Sequence, residues 1–310
     1  MKTLALVFPG QGSQSVSMMQ PFAESGVVRS VFAEASEALG EDLWKLVEEG
    51  PAEALNSTVN TQPAMLAAGY AVYRAWLEAG GARPAMVAGH SLGEYTALVV
   101  AGVIAFRDAV PLVRFRAQAM QDAVPAGTGA MAAILGLDDD SVRKACRESA
   151  AGEIVEAVNF NAPSQVVIAG HKTAVERTAA AAKAAGAKRA VMLPVSAPFH
   201  SSLLQPAAAR LAEYMQQVTF NAPAIPVLNN VDVALADDPA AIKAALARQA
   251  CNPVRWAEVI RAMAAAGVTD VAECGPGKVL AGLTRRIEPG LQGHAITDPG
   301  SLAQTLEALK

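Results

Sequence analysis

The chain has 310 residues and a formal net charge of −4, with 52% of residues hydrophobic and only 17% charged. That length suits one large domain with a smaller insertion, and the hydrophobic share excludes an intrinsically disordered chain. No run of Lys and Arg makes a phosphate-tracking stripe, so no nucleic-acid partner is expected, and the longest apolar run, Ala97 to Phe106, falls well short of the ~20 residues of a membrane span.

The first predicted element is a strand from Leu4 to Phe8, directly after Met1-Lys2-Thr3. It is too short for a signal-peptide core and lacks a small-residue cleavage site, so a cytoplasmic protein is expected. The strand runs into a glycine-rich loop, Phe8-Pro9-Gly10-Gln11-Gly12-Ser13-Gln14. Without a lysine or a Gly-Lys-Ser/Thr ending, the loop is not a Walker-type phosphate cradle. Its glycines allow a backbone N–H to point inward, although a plain strand-to-helix turn explains the segment equally well. A mostly helical excursion follows, including a helix from Gln62 to Ala79, before a second strand from Ala85 to Ala88.

That strand leads into Gly89-His90-Ser91-Leu92-Gly93. A serine between two glycines, after a strand and before a helix, is how a nucleophile is presented: the turn is strained and packed on both sides, and only glycine leaves room at its flanks. The apolar run Glu94 to Val103 begins with an acid and has no interior proline, so its helix N-terminus lies beneath Ser91 and favours negative charge there. Together with the N–H of Leu92, the N–H of Gln11 in the first loop would form a two-donor oxyanion hole.

A helix from Arg107 to Gln121 completes this α/β pattern, and Pro125-Ala126-Gly127-Thr128-Gly129 interrupts it. Next come a strand from Ala130 to Leu137, a helix from Asp138 to Ser149, a strand from Glu153 to Val158, a turn at Asn161-Ala162-Pro163-Ser164, a strand from Gln165 to Ala169, a helix from Thr173 to Ala185, and a strand from Lys188 to Val195. The order βαββαβ is ferredoxin-like. The α/β pattern then resumes with a helix from Gln205 to Gln216, a strand near Ile225 to Asn229, a helix from Val254 to Ala266, a strand from Asp270 to Glu273 and a helix from Val279 to Ile287. The expected organisation is therefore a large domain of residues 1–125 and 197–310 with an inserted subdomain of 126–196, and a ligand cleft between them floored by Ser91.

A serine hydroxyl needs a positioned base, and the chain offers four histidines. His90 precedes Ser91 and its side chain is expected to point elsewhere. His171, in the Gly170-His171-Lys172 turn, and His294, in a glycine-flanked loop, are expected to face solvent. His200, in Pro194-Val195-Ser196-Ala197-Pro198-Phe199-His200, stands where the chain returns from the insertion, at the mouth of the cleft, and is the favoured base. No acid stands out as a third member: Asp232, Asp237, Asp270 and Asp298 have equal claim, and a dyad oriented by a backbone carbonyl is an open alternative. Cys146, Cys251 and Cys274 lack metal-ligand spacing and read as reduced thiols.

The loop Gly10-Gln11-Gly12-Ser13-Gln14, the elbow through Glu94, Arg116, Ala197-Pro198-Phe199-His200, Asn252-Pro253-Val254-Arg255-Trp256 and Gly275-Pro276-Gly277-Lys278 occur in the order found in one family. In these motifs, which span nearly the whole chain, the sequence resembles the malonyl-CoA:acyl carrier protein transacylases. The resemblance implies an α/β-hydrolase-like core with a ferredoxin-like subdomain, agreeing with the segmentation above. It implies Ser91 as nucleophile, His200 as base, Gln11 and Leu92 as backbone oxyanion donors, Arg116 as binder of the substrate carboxylate, and the main-chain carbonyl of Gln249 as the group that orients the histidine. Phe199 and Asn161 are further expected substrate contacts. At Phe199, relatives accepting branched acyl groups often carry a small polar residue, so malonyl is expected over methylmalonyl.

The implied partners are malonyl-CoA and acyl carrier protein, in fatty acid biosynthesis, with no metal and no cofactor beyond the phosphopantetheine that the carrier brings. A monomer is expected. Lys188 and Arg189, and Lys278, Arg285 and Arg286, are two basic clusters suited to an acidic carrier or to CoA phosphates, and equally readable as solvated charge. Cys251, Ser201 and Ser202 depart from residues usual in the family, which bears on packing behind His200. Competing readings are a serine thioesterase or esterase, which has no need of Arg116; a catalytically idle docking module, which has no need of Ser91, His200 and Arg116 together; and a polyketide-type acyltransferase serving its own carrier.

Overall fold

Leu4, Leu6 and Phe8 of strand β1 (Leu4–Phe8) pack into one hydrophobic cluster, while Ala5 and Val7 pack into another. A strand whose side chains alternate between two buried clusters is covered on both faces, the setting in which parallel sheets form. In this computed structural model, which describes residues 2–195 and 197–310, β1 is the central strand of a five-stranded sheet. Met1, and Ser196 at the expected end of the insertion, lie outside the described residues.

Helices α1 (Gly26–Leu39), α2 (Leu43–Glu49), α3 (Ala52–Asn56) and α4 (Thr58–Glu78) form the excursion after β1. Helix α4 starts before the expected Gln62 and carries Pro63 inside it rather than at its start. Strand β2 (Met86–Gly89), α5 (Gly93–Val100) and α6 (Phe106–Asp122) follow, close to the expected bounds.

Strand β3 (Gly129–Leu135), α7 (Asp139–Ser149), β4 (Val155–Ala162), β5 (Gln165–His171), α8 (Lys172–Ala184) and β6 (Arg189–Met192) then build a second sheet. Its order is β4-β5-β3-β6 with every neighbouring pair antiparallel, the ferredoxin-like arrangement, and its helices close a separate core around Ile134, Val142, Phe160 and Ile168. Strand β4 runs farther than the sequence suggests: the turn contracts to Pro163 and Ser164, with Ser164 at φ 60°, and Asn161 lies in the strand.

The chain returns through α9 (Gln205–Tyr214), β7 (Val227–Leu228), α10 (Pro239–Ala250), α11 (Trp256–Ala265), β8 (Asp270–Cys274), α12 (Val279–Ile287), β9 (Gln292–Ile296) and α13 (Pro299–Ala308). The main sheet reads β7-β2-β1-β8-β9, parallel throughout. His294 corrects the expectation of an exposed loop: it sits in β9 with Nε2 2.9 Å from Asp270 Oδ1. His171 is likewise engaged at the end of β5, where its Nδ1 accepts the Ile154 N–H at 2.9 Å.

Two features of this topology create a site. Phe8 pairs with Gly89, so the loop after β1 and the turn after β2 leave the same edge side by side. Connections diverge from β1 to β2 on one side and β8 on the other, and such switch points open a crevice at the carboxyl ends of parallel strands. The second sheet docks through β4: the Phe160 N–H donates to the Val254 carbonyl at 2.9 Å, and the Val254 N–H to the Val158 carbonyl at 2.8 Å. Among the described residues no helix is long and apolar enough to cross a membrane.

Candidate active site

Ser91 occupies the turn after β2 at φ 52°, a left-handed conformation that a side-chain-bearing residue rarely adopts. The flanking glycines are dictated by contact distances. A Cβ on Gly89 would lie 1.8 Å from the Gly93 carbonyl carbon, and one on Gly93 would lie 2.0 Å from the Phe8 oxygen. Asn230, just beyond β7, fastens the turn: its Oδ1 accepts the Ser91 N–H at 2.7 Å and its Nδ2 donates to the Gly89 carbonyl at 2.8 Å. Helix α5 begins at Gly93, so its N-terminal N–H groups lie beside Ser91.

Ser91 Oγ lies 2.7 Å from His200 Nε2, and His200 Nδ1 lies 2.7 Å from the Gln249 carbonyl oxygen. A carbonyl only accepts, so Nδ1 carries the proton and Nε2 presents its lone pair to the Ser91 hydroxyl. Burial, reinforced by the nearby Arg116 charge, pushes the His200 imidazole down to about 3, so it is neutral at neutral pH and free to take a proton. Asp232, Asp237, Asp270 and Asp298 take no part: Asp232 pairs with Arg248, Asp270 with His294, and Asp298 caps α13.

Three arginines share α6 and meet different fates. Arg107 pairs with Glu37 at 3.0 Å and Arg114 with Glu41 at 2.9 Å, both at the surface, whereas Arg116 is only 2% exposed. Its Nη1 donates to Gln62 Oε1 at 2.7 Å, its Nη2 donates to Gln249 Oε1 at 3.0 Å and to Ser91 Oγ at 3.2 Å, and the guanidinium stands 5.3 Å from the Tyr95 ring centroid. Burial pulls its proton affinity down while Tyr95 and Glu94 pull it up, and an arginine remains charged throughout. Among the described residues no carboxylate forms an ion pair with it, and its Nε has no hydrogen-bond partner. A buried cation without a contacting anion is costly, and a ligand carboxylate would relieve that cost.

The structure adds supports that sequence reasoning missed. Glu94, 2% exposed, accepts through Oε2 the Asn230 N–H at 2.9 Å and the Gln249 Nε2–H at 3.0 Å, and burial raises its carboxyl to about 7. The Gln249 side chain also donates to the Ser91 carbonyl at 2.9 Å. Gln62 connects Arg116 to the first loop through Thr58, whose hydroxyl donates to Gln11 Oε1 at 2.7 Å. The acid directly after the elbow and the paired Asn229-Asn230 at a strand end were the available signals.

These groups surround a cavity of about 110 Å3. The main body contributes Gln11, Leu92 and Phe199 to its wall, the second sheet contributes Met131 and Asn159, and Leu193 lies just after β6. At ~30 Å3 per water it has room for roughly four waters, the scale of a short acyl group rather than of a nucleotide. Asn161 is engaged elsewhere: its Oδ1 lies 2.8 Å from His90 Nε2, and His90 packs edge-on against Trp256 at 5.5 Å between ring centroids. The residue of β4 that reaches the cavity is Asn159. A larger groove of about 570 Å3 between the chain ends, lined by Lys2, Trp76 and Lys310, has no serine, cysteine or histidine among its lining residues.

The sequence profile of the acyl transferase domain family matches residues 5–291. The malonyl CoA-acyl carrier protein transacylase of Escherichia coli (strain K12) is 58% identical over 308 residues, covering 99% of this chain and 100% of that protein. That of Bacillus subtilis (strain 168) is 43% identical over 312 residues, covering 100% and 98%. Among solved structures, the acyl-carrier-protein S-malonyltransferase of Burkholderia pseudomallei 1710b superimposes with a TM-score of 0.97 at 64% identity, covering 99% of this chain and 100% of that one. A malonyl-transacylase in complex with its type II PKS acyl-carrier protein superimposes with a TM-score of 0.98 at 53% identity, covering 99% and 100%.

Proposed function

Because this chain belongs to the acyl transferase domain family, alongside full-length malonyl CoA-acyl carrier protein transacylases, we propose that it moves malonyl groups from malonyl-CoA to acyl carrier protein for fatty acid synthesis. His200 Nε2 takes the Ser91 proton as Oγ attacks the thioester carbonyl. The resulting oxyanion rests against the Gln11 and Leu92 N–H groups and the N-terminus of α5. The C–S bond breaks, and His200 returns the proton to the departing CoA sulfur, leaving a malonyl-serine ester. The phosphopantetheine thiol of the carrier then gives its proton to His200, attacks the ester and departs with the malonyl group as Ser91 recovers the proton. Kinetics are ping-pong.

The single observation that carries this reading is the buried Arg116 guanidinium, 3.2 Å from Ser91 Oγ and without a contacting carboxylate. An acyl group ending in a carboxylate completes it through two parallel charge-assisted bonds, whereas acetyl leaves it unpaired. Phe199 on the cavity wall limits branching next to the carboxylate. The exposed Lys188, Arg189, Lys278 and Arg285 supply positive charge for an acidic carrier or for CoA phosphates. Nucleophile, base, orienting carbonyl and arginine all come from one chain, so a monomer suffices.

The decisive experiment is intact-mass spectrometry of wild type and Ser91→Ala after brief exposure to malonyl-CoA or acetyl-CoA. The expected result is a malonyl adduct on wild type alone, scant acetyl adduct, and discharge of the malonyl group by holo carrier protein. Release of CoA with no adduct and no malonyl-carrier product would identify a hydrolase, and neither adduct nor release would identify an idle module.

A further inference from the structure

Among the described residues, Glu94 is the one carboxylate hydrogen-bonded into the cluster of Ser91, His200, Gln249, Asn230 and Arg116. It reaches Arg116 through an intermediary. Gln249 Nε2 donates to Glu94 Oε2 at 3.0 Å while Gln249 Oε1 accepts from Arg116 Nη2 at 3.0 Å. The amide orientation follows from its neighbours, because Nε2 faces two acceptors, Glu94 and the Ser91 carbonyl, and Oε1 faces a donor. Its dipole therefore lies along the line from carboxylate to guanidinium, negative end to the cation.

Resting on the malonyl-transfer reading above, we propose that Glu94 is the resident counter-charge of Arg116 and a specificity-setting positioning residue. Through the Gln249 amide it balances the guanidinium in the free enzyme, and its charge sets how strongly a carboxylate-bearing acyl group is preferred over a neutral one. A direct Glu–Arg ion pair would occupy the planar fork that the substrate needs. The indirect pair leaves Nε unpartnered and only neutral acceptors on Nη1 and Nη2, which a substrate carboxylate can displace, while keeping a compensating charge nearby. A substrate carboxylate arriving on Arg116 then competes with Glu94 for one cation, and an acetyl group does not.

Glu94→Gln separates charge from geometry, since the new side-chain oxygen still accepts from Asn230 and Gln249. The quantity to measure is the ratio of kcat/KM for Ser91 acylation by malonyl-CoA to that by acetyl-CoA. Titrations of His200 and of the CoA phosphates shared by both substrates divide out of it. At pH 8 the ratio is expected to rise about tenfold in E94Q, the Coulomb effect of one charge acting across a single amide in a partly screened interior. A purely structural Glu94 would change both substrates alike and leave the ratio where it is.

The ratio also depends on pH. The groups facing Glu94 are Arg116 on α6, Tyr95 on α5, and Asp232 in the segment after β7, itself paired with Arg248 of α10. Burial holds the Glu94 carboxyl at about 7 against the opposing pull of Gln249, Asn230 and Arg116. A second anion favours the protonated form, so in wild type the ratio falls as pH rises from 6 to 8. In E94Q it stays flat at the high value.

A flat wild-type ratio, or an equal fall in E94Q, overturns the inference. If E94Q does not fold, calorimetry of binding to Ser91→Ala at pH 7 in buffers of different ionisation heat decides instead. Proton uptake with malonyl-CoA but not acetyl-CoA supports the role, and equal or zero uptake overturns it. A wild-type chain that acquires no malonyl adduct removes the malonyl-transfer reading and this inference together, whereas an adduct with a flat ratio removes the Glu94 role alone.

Discussion

His200 donates from Nδ1 to the carbonyl oxygen of Gln249 at 2.7 Å, so the base is oriented by a peptide group and not by a carboxylate. A carbonyl fixes the tautomer as well as an aspartate does but stabilises the imidazolium less. Arg116 adds repulsion: it is the second cause, after burial, of the depressed His200 proton affinity. A substrate carboxylate that neutralises Arg116 therefore strengthens the base at the moment it is needed. On the proposed malonyl-transfer reading, selectivity would then have two sources, tighter binding and easier deprotonation of Ser91.

Replacing Arg116 with alanine is expected to reduce kcat/KM for malonyl transfer by about 10²- to 10³-fold, the loss expected when a buried charge-assisted pair is removed. Transfer from acetyl-CoA should rise or hold, because no buried guanidinium is then left unpaired. Arg116→Lys keeps the charge but not the fork and should recover only part of the loss. Single-turnover acylation with each thioester measures both effects, and an equal loss for both would remove Arg116 from selectivity.

The acid limb of kcat/KM reports the base of the free enzyme. With His200 at about 3, wild-type acylation by acetyl-CoA should persist well below pH 6 instead of falling at the ordinary histidine value of 6.5. Arg116→Ala should move that limb upward, though not fully to 6.5, because burial remains. A pH–rate profile on both proteins checks the direction. An unmoved limb would mean that burial alone sets the base.

The elbow was legible because its constraints are local: both glycines and the serine lie within one turn whose close contacts leave no room for Cβ atoms. His200 was legible by elimination among four histidines. Asn230, Gln62 and Glu94 were not, since polar side chains that act by fastening others look like ordinary polar residues until folding brings them within 3 Å of their partners. Gln249 lacked a residue-level signal for a related reason: the group that orients His200 is its backbone carbonyl, which every residue possesses. Strand β9, Gln292-Gly293-His294-Ala295-Ile296, was missed because an edge strand with one buried residue carries little apolar alternation. Helix α13 carries a signal in Asp298-Pro299-Gly300-Ser301, a capping box with proline in the first turn, where the sequence reading weighs Asp298 only as an acid.

Lys278 follows Gly277, whose Cβ position lies 3.5 Å from Ser13 Cβ in the loop that also carries Gln11, and Arg286 of α12 donates to Gln165 of the second sheet at 2.6 Å. The basic cluster thus sits across the seam between the two units. Lys278→Glu combined with Arg285→Glu should raise KM for carrier protein about tenfold or more at low salt, with the effect shrinking as salt rises. Acylation by malonyl-CoA in the absence of carrier should change far less. If both half-reactions weaken equally, the cluster serves the CoA phosphates instead.

Glu273 supplies a stability prediction away from the chemistry. It is fully buried in β8, its Oε2 accepts the Ala281 N–H at the start of α12 at 2.9 Å, and its Oε1 has no hydrogen-bond partner. Burial raises its carboxyl from 4.5 to about 7, so the folded protein binds this proton more tightly than the unfolded chain does. Stability from this group is then complete below pH 4.5, declines as pH rises toward 7, and is constant above. Glu273→Gln keeps an acceptor for Ala281 and abolishes the decline. It should match wild type near pH 4.5 and exceed it by about 3 kcal/mol at pH 8, a rise of roughly 5 °C in Tm for a chain of this size. Thermal melts of both proteins across that range test it, and a Tm difference independent of pH would mean that burial does not raise the Glu273 carboxyl above its value in the unfolded chain.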